Sequence, residues 1–312
     1  WGFAFDGGGA MLANTCAIRI FDCAFVGNGA SANGGALFFN DDSTVSVLNS
    51  EFLGNEAVSN GGGMTIFHTV ANVANCVFQG NESVNLSGGG FYAGPGSRTS
   101  MTASTFHDNR ARFRGGGIMV TGTSFELSNS VVWLNRAVLS PIHSSIWAPQ
   151  NSTSTKVNSS CVRLGWTGIG ANNITLDPQF VDADGPDNDK RTFDDNDLRL
   201  GADSPCIDTG LTALLLQDEF DLDGDDVIFE SLPIDLDSMV RVRNAAVDMG
   251  AYESNYCTAD FSGDGQVNVT DLLSLLGAWG ICQSPCAVDT NGDGQVNVTD
   301  LLVLLSGWGT CP

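Results

Sequence analysis

GGALFFNDDSTVSVLNSEFLGNEAVSN (34–60) and GGGMTIFHTVANVANCVFQGNESVNLS (61–87) lie end to end and repeat one another. Glycines lead each stretch, apolar residues alternate behind them, and Phe52 and Asn55 return as Phe78 and Asn81. The same unit begins at Gly7 (GGGAMLANTCAIRIFDCAFVGNGASAN), Gly88 (GGGFYAGPGSRTSMTASTFHDNRARFR) and Gly115 (GGGIMVTGTSFELSNSVVWLNRAVLSP), a period of 27 residues. A fixed period of this length means stacked supersecondary units. Each unit holds three short alternating runs broken by Gly, Asn, Ser and Asp, which predicts strands and turns. Leu37 with Phe39, Met64 with Ile66, and Ile118 with Val120 mark an inward face. Phe25, Phe52, Phe78, Phe106 and Val132 form a second column. Asn28, Asn55, Asn81, Asn109 and Asn135 follow that column three places on, and Cys23, Ser50, Cys76, Ser104 and Ser130 precede it by two.

In a parallel beta-helix, equivalent residues of successive coils lie ~4.8 Å apart, so like side chains stack and asparagine amides bond along a turn. The chain is therefore read as an all-β right-handed parallel beta-helix. A propeller blade needs a longer period, and a leucine-rich horseshoe needs its own leucine spacing. Cys23 and Cys76 fall two coils apart, ~10 Å and too far for a disulfide, and are expected as small core residues. The period fades after Ser140, with Trp147, Val157, Cys161 and Ile174 marking closing coils. The expected organisation is a solenoid over 1–175, an acidic loop-rich extension or cap over 176–255, and a small α-helical module over 256–312.

That last module is itself a duplication: DFSGDGQVNVTD from Asp260 and DTNGDGQVNVTD from Asp289. A twelve-residue calcium loop places oxygens at positions 1, 3, 5, 7, 9 and 12 and a glycine at 6. The first copy offers Asp260, Ser262, Asp264, the Gln266 carbonyl, Asn268 and Asp271, with Gly265 at the turn. The second offers Asp289, Asn291, Asp293, the Gln295 carbonyl, Asn297 and Asp300, with Gly294. Two Ca2+ ions are expected there. Behind the loops, Leu272, Leu273, Leu275, Leu276 and Trp279, and Leu301, Leu302, Leu304, Leu305 and Trp308, have the spacing of an apolar helical face. Helices this short must pack together, most simply antiparallel about a pseudo-twofold axis.

Charge follows the same division. Residues 1–176 carry 9 acidic and 8 basic side chains, and 177–312 carry 27 and 5, out of a net charge of -23. Such a field repels nucleic acid and anionic membranes and attracts divalent cations. The dense carboxylates of Asp182, Asp184, Asp187 and Asp189, and of Asp221, Asp223, Asp225 and Asp226, are candidates for further calcium sites. No apolar run reaches the ~20 residues that span a bilayer. Nine cysteines suit an oxidising compartment, and a start at Trp1 without methionine fits a removed signal peptide or a missing start.

Two resemblances refine these expectations. The glycine-repeat coils followed by LDPQFVDADGPDNDKRTFDDNDLRLGADSPCIDTG and AAVDMGAYE resemble secreted bacterial surface proteins of the polymorphic outer-membrane and choice-of-anchor type over residues 1–253. The duplicated loop and helix resemble type I dockerin modules over 257–312, with Ser262 departing mildly at position 3. That second resemblance implies a cohesin-like partner reached through Val269, Thr270, Val298 and Thr299. Four cysteines and no Lys or Arg in 257–312 depart from familiar cellulosomal modules, which brings forward a cell-surface partner or a second copy of the chain. The pseudo-twofold exchange favours disulfides Cys257–Cys311 and Cys282–Cys286 over pairing within each repeat, as Cys257–Cys282.

Parallel beta-helices also host polysaccharide lyases and hydrolases, which need grouped acids and a base on one solvent-facing strand. Here the regular coils scatter their acids, and Arg110, Arg112 and Arg114 beside Asp108 and His107 read as a solvated turn. His68 and His143 stand singly. The expected function is a secreted, calcium-binding structural or adhesive protein of a bacterial surface or matrix, self-associating end to end, even as filaments, or docking a surface partner. The alternative is a polysaccharide-acting or glycan-binding beta-helix held on a scaffold.

Overall fold

A computed structural model describes residues 2–4, 7–122, 124–149, 152–189, 192–193, 195–243, 246–254, 259–262, 266–282, 286, 288–290 and 294–310. The chain divides into two compact units, Trp1–Glu253 and Ser254–Pro312.

The first unit is built on a parallel beta-solenoid of about six coils of some 27 residues. Its strands form four six-stranded sheets. Sheet A stacks strands such as Leu37–Asn40, Met64–Ile66 and Ile118–Val120, and sheet B stacks Thr44–Leu48, Val70–Ala74 and Arg98–Thr102. Sheet C stacks Glu51–Leu53, Val77–Gln79, Thr105–His107 and Cys161–Val162, and sheet D stacks Glu56–Ala57, Glu82–Ser83 and Arg110–Ala111. The described coils thus carry four strands where three were expected. The missed strands of sheet D are two residues long, too short for an alternation to register.

The expected columns are present. Leu37, Phe39, Met64, Ile66, Ile118 and Val120 are all buried. Phe25, Phe52, Phe78 and Phe106 stack with ring centroids 5.0, 4.4 and 4.5 Å apart. Each asparagine amide donates to the Oδ1 of the next: Asn28 to Asn55 (3.0 Å), Asn55 to Asn81 (2.9 Å), Asn81 to Asn109 (2.8 Å) and Asn109 to Asn135 (2.8 Å). The backbone N–H of each donor residue reaches the same oxygen, so these buried amides satisfy one another. Ladder steps alternate between 26 and 28 residues in places, with the difference absorbed in the turns. The glycine corners keep strict time for a steric reason. Gly34, Gly61 and Gly88 have φ between 64° and 72°, and a Cβ on Gly35 or Gly62 would lie 2.1 or 2.5 Å from a backbone atom of a neighbouring coil.

Cys76 is a buried core residue as expected, but Cys23 is exposed, because its strand Ala24–Val26 is the terminal strand of sheet C.

The described residues between 176 and 253 form a strap along the outside of sheets B and C, largely irregular apart from the antiparallel pair Phe180–Asp182 and Asp197–Leu200. Leu198 and Ala251 pack on Leu53 and Val77; Leu232 packs on Leu48 and Ala74. A second asparagine column, in the left-handed turn between those sheets, fastens the strap: Asn49 Nδ2 donates to the Asp235 carbonyl (3.0 Å), Asn75 Nδ2 to Ile234 (2.6 Å) and Asn129 Nδ2 to Leu211 (3.0 Å).

The second unit carries two helices, α1 (Val269–Gly277) and α2 (Val298–Ser306). Gln266–Val267, before α1, pairs with Gly309–Thr310, after α2; Gly280–Ile281, after α1, pairs with Gln295–Val296, before α2. This reciprocal exchange is a pseudo-twofold arrangement around Val267, Leu275, Val296 and Leu304.

Candidate functional site

The two loop-helix repeats are the richest oxygen sites in the sequence, and the structure builds both in one way. Asn268 caps α1, its side chain accepting from Thr270 N–H (2.7 Å), and Asn297 caps α2 through Thr299 N–H (2.8 Å). Asp271 completes the box by accepting Asn268 N–H (2.8 Å), and its other oxygen accepts Ser262 N–H (2.8 Å). Asp300 accepts Asn297 N–H (2.8 Å), Thr290 N–H (2.9 Å) and the Thr290 hydroxyl (3.0 Å). The position-12 carboxylate therefore closes each loop onto its helix. Both carboxylates are buried, which alone would raise their pKa, yet the hydrogen bonds they accept outweigh this and hold them below the ordinary aspartate value. In the first loop Ser262 donates to Asp260 (3.2 Å) as well as to Asp271, drawing positions 1, 3 and 12 together; in the second, Gly294 N–H donates to Asp289 (2.8 Å), tying position 6 to position 1. Asp264, Gly265, Asn291 and Asp293 lie outside the described residues. Hard oxygen donors, anionic at position 12, are the donor set that calcium requires.

The capping role of Asn268 and Asn297 was not drawn from the sequence, although the N-V-T-D spacing signals a capping box. Cys282 and Cys286 are joined by a disulfide with Cα atoms 6.1 Å apart, one of the two expected bridges; Cys257 and Cys311 lie outside the described residues.

The leucine stripe does not behave as one buried face. Leu275 and Leu304 are fully buried and Leu272 and Leu301 partly so, whereas Leu273 (63%), Leu302 (61%), Leu276 and Leu305 remain exposed. Val269, Trp279, Val298 and Trp308 are exposed too, so each repeat presents the same valine, two leucines and tryptophan to solvent.

Elsewhere, in one of the two acidic loops, carboxylate oxygens of Asp221, Asp223 and Asp225 lie within 4.8 Å of one another. In the other acidic loop, Asp187 instead accepts from Asp189 N–H (2.8 Å) and the Thr192 hydroxyl (2.8 Å) as local turn closure. A third group escaped the sequence reading: Asp208, Asp248 and Glu253, also within 4.8 Å, beside fully buried Arg241. Arg241 Nη2 donates to the carbonyls of Asp248 (3.0 Å) and Gly250 (2.7 Å), and its Nε lies 3.9 Å from Glu253. Burial, then the Asp248 charge, pushes Glu253 up to about 8 against the pull of Arg241. The available signal was AAVDMGAYE, in which acids sit between residues that must be buried.

On the solenoid, Arg110 pairs with Glu82 (3.5 Å), Arg114 lies over the Trp147 ring (4.9 Å), and His107 is buried edge-on to Phe180. The three arginines are exposed as expected, but Arg110 lies in a strand of sheet D and His107 is buried in sheet C, so the expected solvated turn is split between two sheets and the bend at Arg112 and Arg114. A groove of about 760 Å³ at the last coils is lined by Trp147, Trp166, His143, Pro149 and Ser152, among others. No helix is long and apolar enough to cross a membrane among the described residues. No protein-family model, curated protein or solved structure matches the chain.

Proposed function

We propose that this chain is a secreted, calcium-binding structural or adhesive protein of a bacterial surface or matrix, whose C-terminal unit couples the solenoid to a second copy or to a surface partner. The observation that carries this is the duplicated exposed set Val269, Leu273, Leu276, Trp279 and Val298, Leu302, Leu305, Trp308. Apolar surface repeated about a pseudo-twofold, on so small a unit, marks a protein-interaction face. On this reading the solenoid is a right-handed parallel beta-helix, the hand that parallel crossovers take, and the terminal unit is dockerin-like. Calcium is held by Asp260, Ser262, Asp264, the Gln266 carbonyl, Asn268 and Asp271, and by their counterparts from Asp289 to Asp300. The ions neutralise the loops and set the starting points of α1 and α2.

The test is sedimentation of the full chain over a range of concentrations, in millimolar calcium and in EGTA, beside a Leu273→Glu/Leu302→Glu variant. Association that requires calcium and is lost in the variant is the expected result. A monomer under all conditions removes self-association and leaves only a foreign partner. Absence of heat on titrating calcium into the chelated protein overturns the coupling reading itself.

One observation favours a second reading, glycan binding: Trp147 and Trp166 line the same groove with polar neighbours, the mixed lining sugar rings require. Affinity electrophoresis on acidic and neutral polysaccharides, with Trp166→Ala as control, tests it; new reducing ends or unsaturated products would indicate an enzyme.

A further inference from the structure

Cys161 and Cys206 come from different parts of the first unit and meet in its interior. Cys161 opens the last strand of sheet C; Cys206 sits in the turn DSPCID of the strap. Both are completely buried, in one cluster with Val131, Trp133, Leu200 and Met249. The other described unbonded cysteines contact oxygen: Cys16 the Ser43 hydroxyl (3.5 Å), Cys23 the Phe21 carbonyl (3.2 Å), and Cys76 the carbonyls of Val47 (3.5 Å) and Ala74 (3.1 Å). Cys161 donates to the Leu176 carbonyl (3.1 Å), and its side chain lies in the same closed cluster as the Cys206 thiol. The backbones around both are fixed. Cys161 N–H bonds the Ser130 carbonyl (2.8 Å) in the coil stack, while Cys206 N–H bonds the Ser204 hydroxyl (3.2 Å) and its carbonyl accepts from Met249 N–H (3.0 Å). Two thiols confined to one buried cluster, each on an anchored backbone, are placed to bond by side-chain rotation.

We propose that Cys161 and Cys206 form a disulfide that staples the strap to the last coil of the solenoid. One cysteine thiolate attacks a small-molecule disulfide oxidant, giving a mixed disulfide and releasing one thiolate. The second cysteine thiolate attacks the protein sulfur of that mixed disulfide and expels the other. Two protons leave the protein thiols, and two electrons reduce the oxidant to two thiols. The neighbouring Cys206 side chain and burial push the Cys161 thiol up, so it stays protonated and unreactive in the folded state. The exchange therefore belongs to folding, before the strap docks, and the finished bond is shielded from reductant. The bridge closes the stretch from 161 to 206, so it limits how far an undocked strap can stray from its coil.

Folding the full chain in a glutathione redox buffer, alkylating it in denaturant without reduction, and mapping its peptides tests this. The expected product joins the Cys161 peptide to the Cys206 peptide and leaves Cys16, Cys23 and Cys76 alkylated. Cys161→Ala, Cys206→Ala and the double variant should each lower the Tm of the first unit by the same amount, roughly 5–10 °C. Alkylation of both residues, or losses that add in the double variant as separate packing defects would, overturns the proposal.

Discussion

Asn81 sits in the middle of its ladder with every polar atom committed. Its Oδ1 accepts from the backbone and side chain of Asn55, and its Nδ2 donates to Asn109 Oδ1 (2.8 Å) and the Phe52 carbonyl (2.8 Å). Asn81→Ala removes all of these at once and leaves buried partners unsatisfied. It should cost about 2–4 kcal/mol in urea unfolding of the first unit, since each orphaned buried group costs roughly 1–3 kcal/mol. The second asparagine column behaves differently. Asn49, Asn75 and Asn129 adopt φ of 45–49°, a conformation that asparagine tolerates; the equivalent residue between Asn75 and Asn129 is Ala103, at φ 49° with nothing to offset the strain. Ala103→Gly should therefore stabilise the unit by about 1 kcal/mol, read as a higher urea midpoint. The first column was legible because its asparagines recur beside an aromatic repeat. The second was not singled out, because alanine interrupts it and its function is to hold a strap that has no period.

At the scale of elements, α1 and α2 have nine residues each, below the ~12–15 at which an isolated helix becomes marginally stable. Their capping boxes and their loops must supply the rest. EGTA should accordingly abolish the helical circular dichroism of the second unit while the β signal of the solenoid persists. Asp300→Ala should cost the second unit about 1–2 kcal/mol even before metal is considered, because Asp300 closes the capping box and also holds Thr290. Loss of protection of the α2 amides in hydrogen exchange would register it. Spacing located both helices, since i, i+3, i+4 periodicity needs only the sequence. Spacing could not tell Leu275, buried, from Leu273, 63% exposed, because both are equally apolar and the surface that would cover Leu273 is not within its own repeat.

At the scale of the whole molecule, the strap brings a buried acid into the response of stability to pH. Its path was illegible in the sequence: acids and glycines without a repeat gave no register against the coils, and nothing in the spacing paired Arg241 with Glu253. Burial pulls the Arg241 guanidinium below its ordinary value, yet a group that starts so high keeps its charge at any accessible pH, and Glu253, deeply buried beside Asp248, has its pKa raised from an ordinary 4.5 to about 8. The folded chain therefore holds a proton that the unfolded chain has released throughout the interval between those values. The contribution of Glu253 to stability is then greatest below the unfolded value and falls as pH rises from about 4.5 to about 8, levelling off above that. This is opposite to the behaviour of a salt-bridged surface carboxylate. Glu253→Gln keeps an acceptor for Asp248 N–H (3.1 Å) and cannot ionise, so its melting temperature should change less between pH 5 and pH 8 than that of the parent chain. Parallel pH profiles for the two proteins would mean that Glu253 is already ionised in the folded state, with Arg241 outweighing its burial.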